Sequence, residues 1–280
     1  MKKRDKHNFS TPLNPIAILR DKSLFGITAS AYGIQTPRVV GMITNGNDLF
    51  LYKDKISVKF DDFLKSKPYD LFLKVVDGEC ADGVYHITSD THNVICSGET
   101  MSIANYVNSL NINARYIIQE KISQQHAALS TIYPNSINTI RLVTVIDPVT
   151  NTPCVLSAVL RVGCGMSEVD NWAVGGLCIG IQESGVLAKY AFYKPGFGTK
   201  VSTHPDSGII FEGYKIPYFK EAISDAIRFH EVLSGIHSIG WDIAITENGP
   251  SFIEGNDNWE ISMLQITSHG MQKEFAHYFN

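Results

Sequence analysis

Asp242 and Glu254, two acids twelve residues apart with Asn256 just behind, are the side chains here best suited to chemistry. They lie in residues 240–259 (GWDIAITENGPSFIEGNDNW), which read as two short strands joined by a turn at 247–250. Trp241, Ile243 and Ile245 alternate with Asp242, Ala244 and Thr246, the period of a strand with one buried face. The return strand puts Phe252, Glu254 and Asn256 on one face and Ser251, Ile253 and Gly255 on the other. A hairpin centred near Asn248 sets Asp242 almost opposite Glu254, with Cβ atoms about 4.5–5.5 Å apart. Carboxylates that close repel unless one is protonated or a cation lies between them. Two carboxylates plus an amide carbonyl form an all-oxygen set suited to Mg2+, which is commonly held by few protein ligands together with substrate phosphates. A solvated hairpin whose acidic face meets water accounts for the same residues.

Four cations bear on that choice. Lys22, in the first turn of a predicted helix, is badly placed for the helix dipole, although a solvated surface lysine is the plainer reading. Lys74 interrupts the apolar run 69–76 (YDLFLKVV) and is costly there unless its ammonium reaches a partner or solvent. The loop 77–83 directly downstream carries two glycines that let backbone N–H groups approach an anion. It also suits an ordinary hairpin turn. Arg141 and Arg161 interrupt the strands 138–145 and 154–162 in the same way. One arginine at a strand end is usually surface; two beside an acidic hairpin suggest a polyanion site.

The elements that must position these groups come from a chain of 280 residues, 44% hydrophobic, with a formal net charge of −4. That allows one large or two modest domains and gives no electrostatic case for nucleic acid. No stretch nears the roughly 18 apolar residues of a membrane span. The basic start has no apolar segment behind it, unlike a secretory signal. Five scattered cysteines (Cys80, Cys96, Cys154, Cys164, Cys178) form no CxxC pair and point to a reducing compartment. A soluble cytoplasmic protein is expected.

Residues 1–20 read as a polar arm and 20–32 as a helix capped by Asp21, with Leu24, Phe25, Ile27, Thr28 and Ala31 on its apolar face and Gly33 at its end. Strands are expected at 38–43, 48–52, 56–60 and 115–122, and helices at 61–67, 101–110 and 217–230. The last carries Phe219, Ile223, Ile227 and His230 on one stripe, with His230 packed or solvent-facing rather than a ligand. Residues 163–180 form a glycine-rich loop running into a strand from Leu177, and 194–206 form a second long loop of the kind that often carries function. Helical turns at 260–265 and 272–279 close the chain.

In order, Asp21-Lys22, Lys74 with its glycine loop, Gln119-Glu120-Lys121-Ile122 and Asp242…Glu254-Gly255-Asn256 resemble the ATP-grasp superfamily. Asn138-Thr139-Ile140-Arg141, Val169-Asp170-Asn171-Trp172 with Gly175-Gly176, His204-Pro205-Asp206-Ser207-Gly208 and Gly240-Trp241-Asp242 most resemble its sugar-transfer-associated branch. The likeness covers about residues 15–265. It implies an α+β ATP-grasp fold in which two α+β subdomains clasp a nucleotide: an arm at 1–20, a helix and small lid subdomain at 21–115, and a large subdomain at 116–280. It assigns Lys22 and Lys74 to nucleotide phosphates, with loop 77–83 as their cover. Backbone groups of Glu120 and Ile122 and the Lys121 side chain would meet the adenine edge. Asp242, Glu254 and Asn256 would hold one or two Mg2+ ions, and Arg141 and Arg161 would face the transferred phosphoryl group or the acceptor carboxylate.

Many ATP-grasp ligases carry a further nucleotide-fold-like domain ahead of the helix that starts here near Asp21, so the resemblance implies a reduced N-terminal region. It transfers no acceptor residues. Asp170, Asn171, Trp172 and His204 are candidates by position in the two long loops, and loop-stiffening hydrogen bonds explain them equally well. The expected activity is an ATP-dependent carboxylate–amine ligase working through an acyl phosphate on an amino acid or sugar-acid substrate, with ATP and Mg2+ required. A kinase of a small molecule or saccharide and a non-catalytic ATP-binding module are the alternatives. A dimer would supply an acceptor wall, although one sequence demonstrates no interface. Asp242→Asn and Glu254→Gln are both expected to abolish activity and leave folding intact.

Overall fold

The computed structural model of the chain describes residues 15–78, 83–122, 125–167, 169–268 and 270–279. Its strands build two antiparallel sheets, and the chain separates into two compact units. The smaller comprises Ala17–Ala31 and Thr36–Lys121; the larger comprises Met1–Ile16, Tyr32–Gln35 and Ile122–Asn280. No described helix is long and apolar enough to cross a membrane. Most of the expected arm (1–14) and residues 79–82 of the glycine loop lie outside the described residues.

The chain enters through α1 (Ile16–Arg20) and α2 (Lys22–Ala31). The arm therefore turns helical at its end, where Ile16 and Leu19 are buried. Asp21 caps α2 as expected, its Oδ1 accepting from the N–H groups of Ser23 at 2.9 Å and Leu24 at 3.0 Å. The α2 face that packs is Ser23, Phe25, Gly26 and Ala29; Leu24 and Ile27 are exposed.

The smaller unit's strands are β1 (Val39–Ile43), β2 (Asp48–Leu51), β3 (Ile56–Lys59), β4 (Tyr69–Val75), β5 (Val84–Ser89), β6 (Asn93–Cys96), β7 (Glu99–Ser102) and β8 (Tyr116–Glu120). They lie in the order β3-β2-β1-β8-β4-β5-β6-β7. β8 is central, and the register Leu73↔Ile118, Phe72↔Gln119 and Lys74↔Ile117 fixes two faces. Leu71, Leu73, Tyr116 and Ile118 join Phe60 and Leu64 of α3 (Phe60–Ser66) and Tyr106 of α4 (Ile103–Ser109) in one apolar cluster. Phe72, Lys74, Ile117 and Gln119 occupy the other face. A domain boundary at 115/116 would part β8 from its partners; the compact units divide at Lys121 instead. The β6–β7 hairpin takes residues at the start of the expected 101–110 helix, which begins only after Ser102 accepts from the Asn105 N–H at 3.3 Å.

The larger unit follows with α5 (Ala127–Ile132), β9 (Thr139–Ile146), β10 (Pro153–Val162), β11 (Leu177–Ile181), β12 (Leu187–Tyr193), α6 (Phe219–Val232), β13 (Ser238–Thr246), β14 (Gly249–Asn256), α7 (Ser262–Thr267) and α8 (Gln272–Tyr278). The sheet order is β12-β11-β10-β9-β13-β14. β13 is an interior strand and is buried along its whole length, so both its faces are covered rather than one. On one side Phe229 of α6 stacks on Trp241 at a centroid distance of 5.2 Å. The packed stripe of α6 is Phe219, Ala222, Ala226, Phe229 and His230, rotated from the expected Ile223 and Ile227. On the other side Gly240 lies against Trp259: a Cβ there would meet the Trp259 Cβ at 2.5 Å.

Candidate functional site

The β13–β14 register sets Asp242 opposite Glu254 and Gly240 opposite Asn256. It then shifts between Asp242 and Ile243, because Ile253 is an extra residue on β14. Beyond this bulge Phe252 pairs with Ile243 and turns to the Trp241 side, where the two rings meet edge to face at 5.6 Å. Phe252 and Glu254 therefore do not share a face as simple alternation requires. The bulge lets one short strand offer an aromatic to the core and a carboxylate to the opposite face. Asn256 Nδ2 donates to Glu254 Oε1 and to the Gly240 carbonyl, each at 3.3 Å.

Registers across β13, β9 and β10 bring Arg141 beside Asp242 and Arg161 beside Thr139 on that same face. Arg141 engages both Asp242 oxygens, through Nε to Oδ1 and through Nη2 to Oδ2 at 3.0 Å. Arg161 Nη2 reaches Asp242 Oδ2 at 3.2 Å, and its Nε lies 3.5 Å from Asp170 Oδ2. Thr139 links this chain of charges: its hydroxyl accepts from Arg161 Nε at 2.9 Å and donates to Asp170, while its N–H reaches the same Asp170 oxygen at 3.0 Å. Burial works to raise the Asp242 carboxyl, but the two guanidiniums outweigh it and hold the group well below the usual carboxylate range. For Arg161 burial opposes the charge, and Asp170, Asp242 and Glu254 together raise its pKa regardless. Asp170 is shifted upward, with burial outweighing Arg161. Thr139 carried no signal in sequence beyond its place between Asn138 and Arg141.

The two long loops are held together largely by local hydrogen bonds. Asn171 accepts from the Ala173 N–H at 2.9 Å, and buried Trp172 donates from Nε1 to the Phe192 carbonyl at 2.9 Å. His204 is only 1% exposed. Its Nε2–H donates to the Gly163 carbonyl at 2.9 Å and its Nδ1 accepts from the N–H groups of Asp206 and Ser207 at 3.3 and 3.4 Å. This geometry makes His204 a brace between loops. Of the four loop candidates, Asp170 alone joins the charged network.

In the smaller unit, the Lys22 ammonium donates to the Gly78 carbonyl at 2.5 Å, and the Lys22 N–H to the Val76 carbonyl at 3.0 Å. The lysine that opens α2 is thus tied to the start of the loop that follows β4, and the carbonyl offsets its poor position at the helix N-terminus. Lys74 lies 5.7 Å from the Phe72 ring centroid. At the end of β8, Glu120 pairs with Arg38 at 2.7 Å and Lys121 approaches Asp70 at 3.4 Å; Ile122 begins the larger unit's segment.

The order of these motifs matches a known family along nearly the whole chain: the model described as "Sugar-transfer associated ATP-grasp" matches residues 4–278. The chain belongs to the sugar-transfer associated ATP-grasp family. No curated protein matches it. Among solved structures it is similar to D-alanine–D-alanine ligase from Bacillus anthracis (12% identity, TM-score 0.46, covering 93% of this chain and 64% of that one). It is also similar to N5-carboxyaminoimidazole ribonucleotide synthetase from Thermotoga maritima (11%, 0.46, 87% and 43%). A third likeness is to VanG D-Ala:D-Ser ligase from Enterococcus faecalis (14%, 0.47, 87% and 53%). The chain thus spans roughly half the length of the structures it matches.

Membership in an ATP-grasp family brings ATP and Mg2+ into question. Among the described residues no three His, Cys, Asp or Glu side chains cluster as a metal group. The candidate set of this ATP-grasp chain is instead two opposed carboxylates and one amide, all hard oxygen donors, which fits Mg2+. Two guanidiniums already compensate one of those carboxylates, Asp242.

Proposed function

We propose that this chain is an ATP-dependent carboxylate–amine ligase acting on an amino acid or sugar acid, in the biosynthesis of a polysaccharide or natural product. A carboxylate oxygen attacks the γ-phosphorus of ATP and ADP departs. The amine nitrogen then attacks the acyl phosphate carbonyl, phosphate leaves, and the amine gives up a proton. The observation that carries this reading is the pairing of Asp242 with Glu254 beside Arg141 and Arg161, in a chain of this family.

Phosphoryl transfer asks mainly for positioning and for positive charge around the equatorial oxygens. In this reading Lys22 and Lys74 hold the nucleotide phosphates, and backbone groups of Glu120 and Ile122 with the Lys121 side chain hold the adenine. Asp242, Glu254 and Asn256 hold Mg2+, which when bound neutralises charge on the phosphates. Arg141 and Arg161, fixed by Asp242 and Asp170, present guanidinium charge to the transferring group or the acceptor carboxylate. Thr139 and Asp170 act through Arg161. The location that goes with ATP as co-substrate is the cytoplasm.

Release of ADP from Mg-ATP tests the reading, with sugar acids, amino acids and amines offered singly and in pairs. ADP formed only when a carboxylate and an amine are both present supports a ligase and names its substrate class. ADP formed with one acceptor, which then keeps the phosphate, would replace this reading with a kinase. Binding of Mg-ATP with no turnover for any pair would leave a nucleotide-binding module.

A further inference from the structure

Lys194, the first residue after β12, is a cation that the ligase reading leaves unused. Across the larger sheet Arg161 lies opposite Cys178 and Cys178 opposite Phe192, so the three share one face. Lys194 follows Phe192 by two residues and returns to that face. Two strand spacings and two residues put its backbone about 12 Å from that of Arg161. Trp172 packs in one cluster with Cys178 and Phe192, and the Lys194 ammonium stands 6.0 Å from its ring centroid. That ring is buried and pinned by its bond to the Phe192 carbonyl. The backbone beyond is fixed as well, because the Phe197 N–H donates to the Lys194 carbonyl at 3.0 Å.

Lys194 is half-buried, and among the described residues its ammonium has no carboxylate or carbonyl partner. The arginines on the same face are answered by Asp242 and Asp170. The acid that Lys194 meets at longer range is Glu260, held below the usual carboxylate range first by Ser262 and then by Lys194 and Arg141. Glu260 already accepts from the Ser262 hydroxyl and from its N–H at 3.2 Å. An aromatic ring holds a cation in place without neutralising it. The charge on Lys194 is therefore positioned but still open to an anion. One ammonium beside an acid suits a singly charged carboxylate better than a doubly charged phosphate ester. We propose that Lys194 holds a second carboxylate of the acceptor, which makes the substrate a dicarboxylic sugar acid or amino acid. The proposal rests on the ligase reading above and adds to it the residue that selects the substrate by charge. A monoacid meets the arginines and leaves Lys194 unanswered; a diacid meets both.

Lys194→Met keeps an unbranched side chain over Trp172 and removes the charge; Lys194→Arg restores the charge. Glucarate and gluconate share a hydroxylated chain and differ by one carboxylate, and glutamate and glutamine form the amino-acid pair. Each is titrated calorimetrically into wild type and both variants, and all three proteins are melted without ligand. Wild type is expected to bind one of the diacids at least about tenfold tighter than its monoacid counterpart, the scale of one charge-assisted hydrogen bond. Lys194→Met is expected to lose that preference and Lys194→Arg to recover most of it, with ligand-free melting temperatures close to wild type. In ADP release with Mg-ATP and an amine, Lys194→Met is expected to raise KM for that diacid more than it lowers kcat. No binding of either diacid, equal affinity for diacid and monoacid in wild type, or a preference that survives in Lys194→Met overturns the proposal. ADP release from a monoacid and an amine would then leave the ligase reading standing. A lower ligand-free melting temperature in Lys194→Met, with diacid and monoacid weakened alike, is the signature of a packing residue and overturns the proposal too. Diacid binding that depends on Lys194, with no ADP from any acid and amine, supports the carboxylate site and overturns the ligase reading instead.

Discussion

Asp242 and Glu254 face each other and both support the charge on Arg161, yet Asp242 is buried and Glu254 is not, and this divides the effects of removing them. Asp242 is buried against Arg141 and Arg161, so Asp242→Asn leaves two interior guanidiniums short of a counter-charge. Breaking a buried ionic pair from one side costs about 3–5 kcal/mol. Asp242→Asn is therefore expected to lose stability in a denaturant melt as well as activity, contrary to an expectation of intact folding drawn from sequence. Glu254 is partly exposed and holds Asn256 through a hydrogen bond that a glutamine preserves in outline. Glu254→Gln is expected to abolish ADP release with a melting temperature close to wild type. Equal destabilisation by the two variants would show that Asp242 does not anchor the arginines. The acids were legible in sequence because a turn and a period of two fix their opposition. Arg141 and Arg161 were legible as strand arginines beside the hairpin, but their ion pairs with Asp242 were not, since Arg141 and Asp242 stand 101 residues apart and meet through the β9–β13 register.

At the scale of elements, α6 is fastened to the sheet by a line of hydrogen bonds whose direction is set. Trp241 Nε1–H donates to Thr144 Oγ1 at 2.8 Å. Burial keeps His230 neutral, and because its Nε2–H must donate to the Ile236 carbonyl at 2.8 Å, its Nδ1 accepts from the Thr144 hydroxyl at 2.8 Å. Burial pushes the imidazole down to about 4 from its ordinary 6.5. The folded protein thus refuses a proton that the unfolded chain accepts between those values. The stability contributed is complete above pH 6.5, falls as the pH drops, and is lost by about pH 4, a change on the order of 3 kcal/mol. Urea unfolding from pH 7.5 to 4 should show this slope, and His230→Gln should start lower and flatten it; an unchanged slope would assign the acid sensitivity to other groups. Sequence placed α6 correctly because a fourteen-residue amphipathic helix has a strong period, and it left His230 packed or solvent-facing; the structure packs it. It missed α5, whose six residues offer less than two turns of pattern, and the bulge at Ile253, since an added residue leaves alternation looking intact on either side.

Across the whole molecule, each unit buries its own core: Leu73 sits in the smaller unit's cluster and Leu264 in the larger's, both fully buried. Leu73→Ala and Leu264→Ala should each cost about 2–5 kcal/mol. Calorimetry is expected to resolve two transitions, with each variant lowering a different one; a single transition moved equally by both would mean the units unfold together. The chain does not hand these units over one after the other. It passes between them after Ile16, Ala31, Gln35 and Lys121. Within the smaller unit, β1–β3 and β4–β7 are two local meanders that no strand joins except β8. β8 is the last of the eight to leave the ribosome, so the meanders can form early from nearby contacts and must then wait. The sheet closes when residues 116–120 arrive between them, and the strand that closes it is the one that ends at Glu120. In time as well as in space, the strand end proposed to meet the base is the last part of that unit to exist.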